Sequence, residues 1–563
     1  MAKIGKNVLE NLTQAMYDDS RIIFREYIQN AADQIDIATK NNSFPDEELQ
    51  ITIELDKKKR NIFIVDNANG IPANEIKKRL ADIADSDKIQ GESKGFRGIG
   101  RLGGIGYCKE LRFVTSCRGE DVQTTMVWNA TELRAIINDT KNHDSAEKVL
   151  DKVISYRKNH CGIDEHFFRV EMLGINDEND KLLDEDSVRQ YISEVAPVDY
   201  IDSFILKPEI ERFINEHADE VPPLNIYNIY LRYDNGDLMK VKKNYANGIF
   251  KINNGKKIKV DSFNGIQADV IRNDSGNPVA WIWYAISSFK ASINEGGNPF
   301  RGLRLRQFNI LIGNRETLSN DHNFFKEKTR KANHYFIGEV HTIDKNLRPN
   351  ARRDYFNENN SVRDFEDALQ QYISKNLDSL YKDGSRINSG YDKITKLADL
   401  QKTVKDKQRK GFASASEKIK LEKELESALG NAEKAIKDIT RIEKKSKDEK
   451  NSPLSKLVNT VTKERKIDIN KVKEKLNRGV AIIQPANDGE KLKVNSNGCK
   501  SSENMISPVK KPKLLVDELS CLNKGERKLV SRIYDVIHKN LIFDEADSLI
   551  QKIQEELKKN NAS

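Results

Sequence analysis

Cysteine is scarce and scattered in this chain. Five thiols (Cys108, Cys117, Cys161, Cys499, Cys521) are spread over 563 residues without a Cys-x-x-Cys pair. That argues against a disulfide scaffold or a structural zinc, and it fits a reducing compartment. No stretch approaches 18 consecutive apolar residues, so the sequence predicts no membrane span. The first residues, MAKIGKNVLENLTQ, lack the apolar core of a secretion signal and read as the start of a cytoplasmic protein. Apolar residues are few overall, 37% against 32% charged, which predicts compact domains joined to a polar, extended remainder. The length allows roughly three or four domains of ordinary size.

The net charge of +8 conceals an asymmetry. Residues 1–380 carry 54 basic and 59 acidic side chains, a net of −5, and residues 381–563 carry 41 and 28, a net of +13. A basic tail on a slightly acidic body suits nucleic acid, an acidic partner or plain solvation. Charge alone does not choose among them.

Patterning divides the chain. Residues 1–180 read as mixed α/β, with a helix over about 20–40 and a strand pair at 50–55 and 62–65 around the polar turn 57–60. Further strands are expected at 111–116 and 167–173. Residues 181–380 read as a second α/β region, with helices near 185–194 and 210–217 and strands at 226–233, 280–286, 303–312 and 335–343. Residues 393–450, with apolar positions at Ile419, Leu425, Leu429, Ala432, Ile436, Ile439 and Ile442, suit a long amphipathic helix or short coiled coil that Gly411 interrupts. A polar linker is expected over 451–512 and a small helical block over 513–563. The stripe at 419–442 and the 513–563 block are both candidates for self-association.

Three segments carry candidate chemistry. On the first helix Glu26, Asn30 and Asp33 recur at i, i+4 and i+7, within about 60° of one another around the axis. Phe24, Ile28, Ala31, Ala32 and Ile35 take the other side. An ordinary amphipathic helix has this pattern. So does a helix lining a nucleotide cleft, where a carboxylate activates water and an amide oxygen meets Mg²⁺. In Ile62-Phe63-Ile64-Val65-Asp66-Asn67-Ala68-Asn69-Gly70 a buried strand delivers a carboxylate beside a tight turn. That is either an acceptor for an adenine amino group or simple turn chemistry. The stretch Gly95–Gly106 holds six glycines in twelve residues, which suits backbone amides cradling phosphate or a mobile lid. It fits neither the Walker nor the Rossmann pattern.

Taken jointly, E-x-x-x-N-A-x-D, then D-N-x-x-G-I-P about 33 residues later, then a glycine box, resembles the GHKL ATPase superfamily. Its members include the ninety-kilodalton heat-shock chaperone, MutL, MORC proteins, type II topoisomerases and histidine kinases. The resemblance implies an α+β protein with a Bergerat-type α/β sandwich that binds ATP and Mg²⁺. In it Glu26 would activate water, Asn30 would hold the metal with Asp33 nearby, and Asp66 would read adenine, with Gly70 making room. Gly98, Gly100, Gly104 and Gly106 would line the phosphates, and Lys88 and Arg97 would belong to the lid. Arg25 precedes the glutamate as in the chaperone branch. The stretches RGLRLRQFNILIGN (301–314) and HYFIGEVHTIDKNLRPNARRDYF (334–356) resemble that chaperone's S5-like middle domain. Asn350 then matches the loop asparagine, and Arg353 the arginine that contacts the γ-phosphate.

Three departures stand out. No threonine occurs in Cys161-Gly162-Ile163-Asp164-Glu165-His166-Phe167-Phe168, where the chaperones place a hydroxyl near adenine, and the glycine box is one residue longer. The region after 380 does not resemble the chaperone's dimerisation domain. No phosphoacceptor helix fits ahead of Glu26, which disfavours a histidine kinase, and no metal-carboxylate module supports a topoisomerase. The expectation is an ATP-driven clamp, a homodimer remodelling a protein client. The alternative is a MORC- or MutL-like clamp on nucleic acid held by the basic tail, with a role in bacterial defence as one setting.

Overall fold

The computed structural model describes residues 4–13, 19–81, 100–448, 452–478 and 514–559. They form an α+β architecture with a mixed sheet first, an α/β region next and a helical C-terminal region. By contacts the chain divides into Met1–Tyr381 and Lys382–Ser563. Among the described residues no helix is long and apolar enough to cross a membrane.

The first sheet grows from the predicted strand pair. Strands β1 (Gln50–Asp56) and β2 (Asn61–Asp66) pair antiparallel, with Ile51 opposite Asp66. Alternation puts Ile51, Ile53 and Leu55 of β1, and Ile62, Ile64 and Asp66 of β2, on the buried face. Strands β3 (Cys108–Ser116), β4 (Val122–Asn129), β5 (Ile154–His160) and β6 (Phe167–Ile175) extend the sheet in the order β5-β4-β3-β6-β2-β1. Helix α1 (Ile22–Lys40) packs its Ile23, Phe24, Tyr27, Ile28 and Ala31 into the same core.

The sheet does not stop at residue 180, where patterning sets the first boundary. After helix α2 (Glu185–Val195), strand β7 (Asn228–Tyr233) runs parallel to β1, and the short β8 (Met239–Lys240) completes eight strands. Val188, Ile192, Ile229, Leu231 and Val241 belong to the first core. A β-strand from beyond the expected boundary covers the edge of β1, since a bare edge exposes a row of unpaired amides.

A hairpin, β9 (Gly248–Asn253) and β10 (Lys256–Ser262), leads into the second sheet. That sheet has the order β11-β12-β15-β13-β14, from Ile266–Arg272, Pro278–Ala285, Ile337–Thr342, Gly302–Gln307 and Ile310–Leu311. The strand expected at 303–312 is split by a turn at Phe308 and Asn309, whose φ values are 52° and 61°. Two successive left-handed residues make a tight hairpin. Val279 to Ala285 are buried on both faces of β12, as expected of a continuous apolar run.

In the C-terminal region, Leu377–Lys410 and Ala415–Asp448 are separate helices joined through Gly411 at φ +114°. A Cβ at Gly390 would lie 2.9 Å from Ile439 Cδ1, so the two pack closely side by side. Ala432, Ile436, Ile439 and Ile442 are buried within the chain, and Ile419 of the proposed stripe is exposed. The expected linker 451–512 contains the helices Pro453–Arg465 and Ile469–Asn477, each with a serine or aspartate N-cap that supplies the missing backbone acceptor. Helices Lys524–Asn540 and Phe543–Lys559 follow.

Candidate nucleotide site

Helix α1 sinks its polar face into protein rather than water. Arg25, Glu26, Gln29 and Asp33 are 3%, 7%, 1% and 5% exposed, and Asn30 is half-buried. Buried charge needs partners. Glu26 Oε1 lies 3.6 Å from Arg25 Nε and 3.4 Å from Arg353 Nε, and Arg25 Nη2 donates to the Arg352 carbonyl at 2.9 Å. Two guanidiniums therefore flank one carboxylate, and one of them comes from the loop after the second sheet. Glu26 Oε1 and both amide atoms of Gln29 are buried without a hydrogen bond among the described residues. Orphaned polar atoms clustered on one helix face mark a place built for something else.

Arg353 is held under backbone strain. Its φ is +55°, costly for a residue with a Cβ. The Gly313 N–H donates to its carbonyl at 2.8 Å, and its own N–H donates to the Asn350 carbonyl at 3.2 Å. The Asn350 side chain is turned to Asp354, to which its amide nitrogen donates.

The described part of the glycine box, Gly100–Gly106, is a 3₁₀ turn over α1. A Cβ at Gly100 would lie 2.4 Å from Glu26 Oε2, and one at Gly104 would lie 2.4 Å from Tyr27 Oη. The backbone thus comes down directly onto the helix. Tyr27 pins it: its hydroxyl donates to the Arg101 carbonyl and accepts from the Gly104 N–H, both at 3.0 Å. Asn176 Nδ2 donates to the Gly106 carbonyl at 3.2 Å. Lys88, Arg97 and Gly98 lie outside the described residues.

Asp66 ends β2, 3% exposed, with the Ala68 N–H donating to its Oδ1 at 3.2 Å. Burial pushes its carboxyl up to about 7, against the pull of that N–H. Gly70 follows at φ +67°, where a Cβ would lie 1.9 Å from the Ser116 carbonyl oxygen. No other residue fits there. Across the register Asp66, Phe168 and Thr115 stand opposite one another on β2, β6 and β3. Thr115 Oγ1 accepts from the Ile71 N–H at 2.9 Å and donates to the Phe167 carbonyl at 2.8 Å. A hydroxyl thus ties down the turn after Asp66, but from β3.

Tyr27, Gln29 and Thr115 escape the sequence reading. The first two had a signal, polar atoms on the turn of helix that carries Glu26. Thr115 had none, because its place depends on strand register.

Residues 25–159 match the model of the histidine kinase-, DNA gyrase B- and HSP90-like ATPase family. Chaperone protein HtpG from the Shewanella baltica strains OS155 and OS185 is 27% identical over 143 residues, 22% of this chain and 22% of each relative. The chain thus spans about a fifth of the length of the curated relatives it matches. Over residues 25–159 the chain carries a histidine kinase-, DNA gyrase B- and HSP90-like ATPase domain.

Proposed function

We propose that the protein is an ATP-hydrolysing conformational clamp in which the second sheet completes the nucleotide site of the first. The observation that carries this reading is the 3.4 Å approach of Arg353 to Glu26. Glu26 is the general base for water, Asp66 accepts from the adenine amino group, and Gly100, Gly104 and Gly106 face the phosphates. The oxygen-donor chemistry of Asn30, beside Asp33, fits a hard cation. Mg²⁺ there would neutralise phosphate charge. Arg353 moves between two anions, pairing with Glu26 in one arrangement and with the γ-phosphate in the other, so that its transfer frees the base. Lys88, Arg97 and Gly98 belong to the lid, and Asn350 supports the Arg353 loop.

Two copies associate when ATP is bound, and the work is done on a protein client. The +13 balance of residues 381–563 favours nucleic acid as the second reading. Sedimentation of the full chain with Mg²⁺ and a non-hydrolysable ATP analogue is expected to show a larger species than without it. An unchanged sedimentation coefficient would count against the clamp. Gel shifts with duplex DNA across a salt series then choose the cargo, since phosphate contacts give a steep loss of affinity with salt.

Acid should weaken ATP binding through Asp66. The ionised carboxylate is the form that accepts from adenine, and its pKa in the folded protein is about 7. Protons therefore compete with nucleotide below pH 7, and calorimetry should show binding about tenfold weaker at pH 6 than at pH 8. The linkage to folding has the same origin. A raised carboxyl pKa makes the folded state the tighter proton binder, so this residue's contribution to stability falls as pH rises from about 4 to 7. A flat affinity between pH 6 and 8 would show that the Asp66 carboxyl stays ionised throughout this range, and Asp66→Asn would then decide its part in base recognition.

A further inference from the structure

Three loops meet behind the turn that follows Asp66, and one imidazole joins them. His166 lies in the loop before β6, its side chain 6% exposed. Its Nδ1 is 3.0 Å from the Ala68 carbonyl oxygen. Its Nε2 is 3.0 Å from Glu47 Oε2 and 3.2 Å from Arg118 Nη2. The ring stacks on Phe44 with centroids 3.8 Å apart and planes 6° from parallel. Arg118 also sits over Phe44, 4.5 Å from its centroid, and bonds to Glu47.

The tautomer follows from the partners. A carbonyl oxygen only accepts, so Nδ1 carries a hydrogen and donates to Ala68. At Nε2 the ring either accepts from Arg118 or, if doubly protonated, donates to Glu47. The bond to Ala68 is the same in both cases. Ala68 is thereby held at both ends: its N–H points onto Asp66 Oδ1 at 3.2 Å, and its carbonyl is fixed by His166. An N–H aimed at one carboxylate oxygen sets which lone pairs of Asp66 remain for a ligand. The ring belongs to the stretch Cys161–Phe168, which lacks the threonine that the resemblance led us to expect.

We infer that His166 is a positioning residue for base recognition, acting through the Ala68 carbonyl to orient the Asp66 carboxylate. The inference rests on the reading of Asp66 as the adenine acceptor. His166 does not touch the nucleotide. Its effect is confined to affinity for ATP, and the chemical step around Glu26 is untouched.

Two amide replacements separate the ring's two nitrogens. Asn places its amide nitrogen near Nδ1, and Gln places its own near Nε2. In the full chain, ATP affinity by calorimetry and turnover at saturating ATP are measured for wild type, H166A, H166N, H166Q and D66N. H166A and H166Q are expected to bind ATP about tenfold more weakly, the worth of one buried hydrogen bond. H166N should bind within about threefold of wild type, and saturated turnover should be unchanged in all three. Equal affinity in all three His166 variants, whether weak or like wild type, overturns the inference, because the ring would then act by stacking or not at all. H166Q binding better than H166N overturns it too. If D66N binds ATP like wild type, the reading of Asp66 fails instead, whatever the His166 variants do.

Discussion

Glu26→Ala is expected to lower ATP turnover by about 10²–10⁴, the usual worth of a positioned general base. ATP affinity should stay within about threefold of wild type. The two effects separate because of what surrounds the carboxylate. Removing it leaves Arg25 and Arg353, at 3.6 and 3.4 Å from Glu26 Oε1, without their shared anion. Buried cations that lose a counter-charge attract another, and the phosphates are the anion at hand. Binding is therefore preserved or tightened while hydrolysis stops. Arg353→Ala is the companion measurement. It should also slow turnover, because the cation that would stabilise the transferring phosphoryl oxygens is gone. Single-turnover hydrolysis and nucleotide calorimetry on both variants decide the matter. Undiminished turnover in Glu26→Ala would end the base assignment. Undiminished turnover in Arg353→Ala would make its contact with Glu26 a packing detail.

The sequence exposes much of this arrangement, and physical reasons explain which parts. Helix α1 and the β1–β2 pair are legible because their periodicities are local. Glu26, Asn30 and Asp33 share one helix, and Asp66 ends an apolar run that shows its own terminus. Strand β5 is hidden because Ile154–His160 is exposed along nearly its whole length and so shows no apolar alternation. The β1–β7 pairing is hidden for a different reason. A parallel partner about 180 residues away (Gln50 with Asn228) leaves no mark in either segment, and the boundary expected at 180 cuts straight across it. Thr115 and His166 illustrate the same limit at the site. Each reaches the Asp66 turn only through strand order, so neither belongs to any motif of consecutive residues. The split of 303–312 had a visible cause in Phe308-Asn309, since asparagine tolerates positive φ. The alternation Leu303-Arg304-Leu305-Arg306 before it and the apolar run Ile310-Leu311-Ile312 after it both read as strand and masked it.

The second large effect is expected in the second sheet, at Glu339 of β15. This carboxylate is fully buried between two buried cations. It accepts from Arg306 Nε at 2.6 Å, Lys243 Nζ at 2.9 Å, Tyr200 Oη at 2.6 Å and Tyr245 Oη at 3.1 Å. Burial would raise its pKa, but Arg306 and then Lys243 overcome that and hold the carboxyl well below the usual range. His341, stacked on Trp281 with centroids 4.3 Å apart, is pulled down to about 4 by burial. It is therefore neutral near pH 7 and donates Nε2–H to the same carboxylate, at 3.0 Å. Glu339→Gln removes the anion and leaves Arg306 uncompensated in a dry interior, while Lys243, which burial and then Arg306 already pull down to about 7, gives up its proton. The loss should cost about 3–5 kcal/mol in urea unfolding. The consequence should reach the first sheet. Arg306 Nη2 also donates to the Glu194 carbonyl, and Arg304 Nε to the Glu194 carboxylate, both at 2.9 Å. Glu194 closes α2, whose Val188 and Ile192 sit in the core shared with α1. A double substitution tests the cause. Adding Lys243→Met to Glu339→Gln removes the buried amine that Glu339 holds at 2.9 Å, so the pair should be less destabilised than the sum of the two single substitutions. Additive losses would show instead that shape, and not charge balance, sets the stability of this junction.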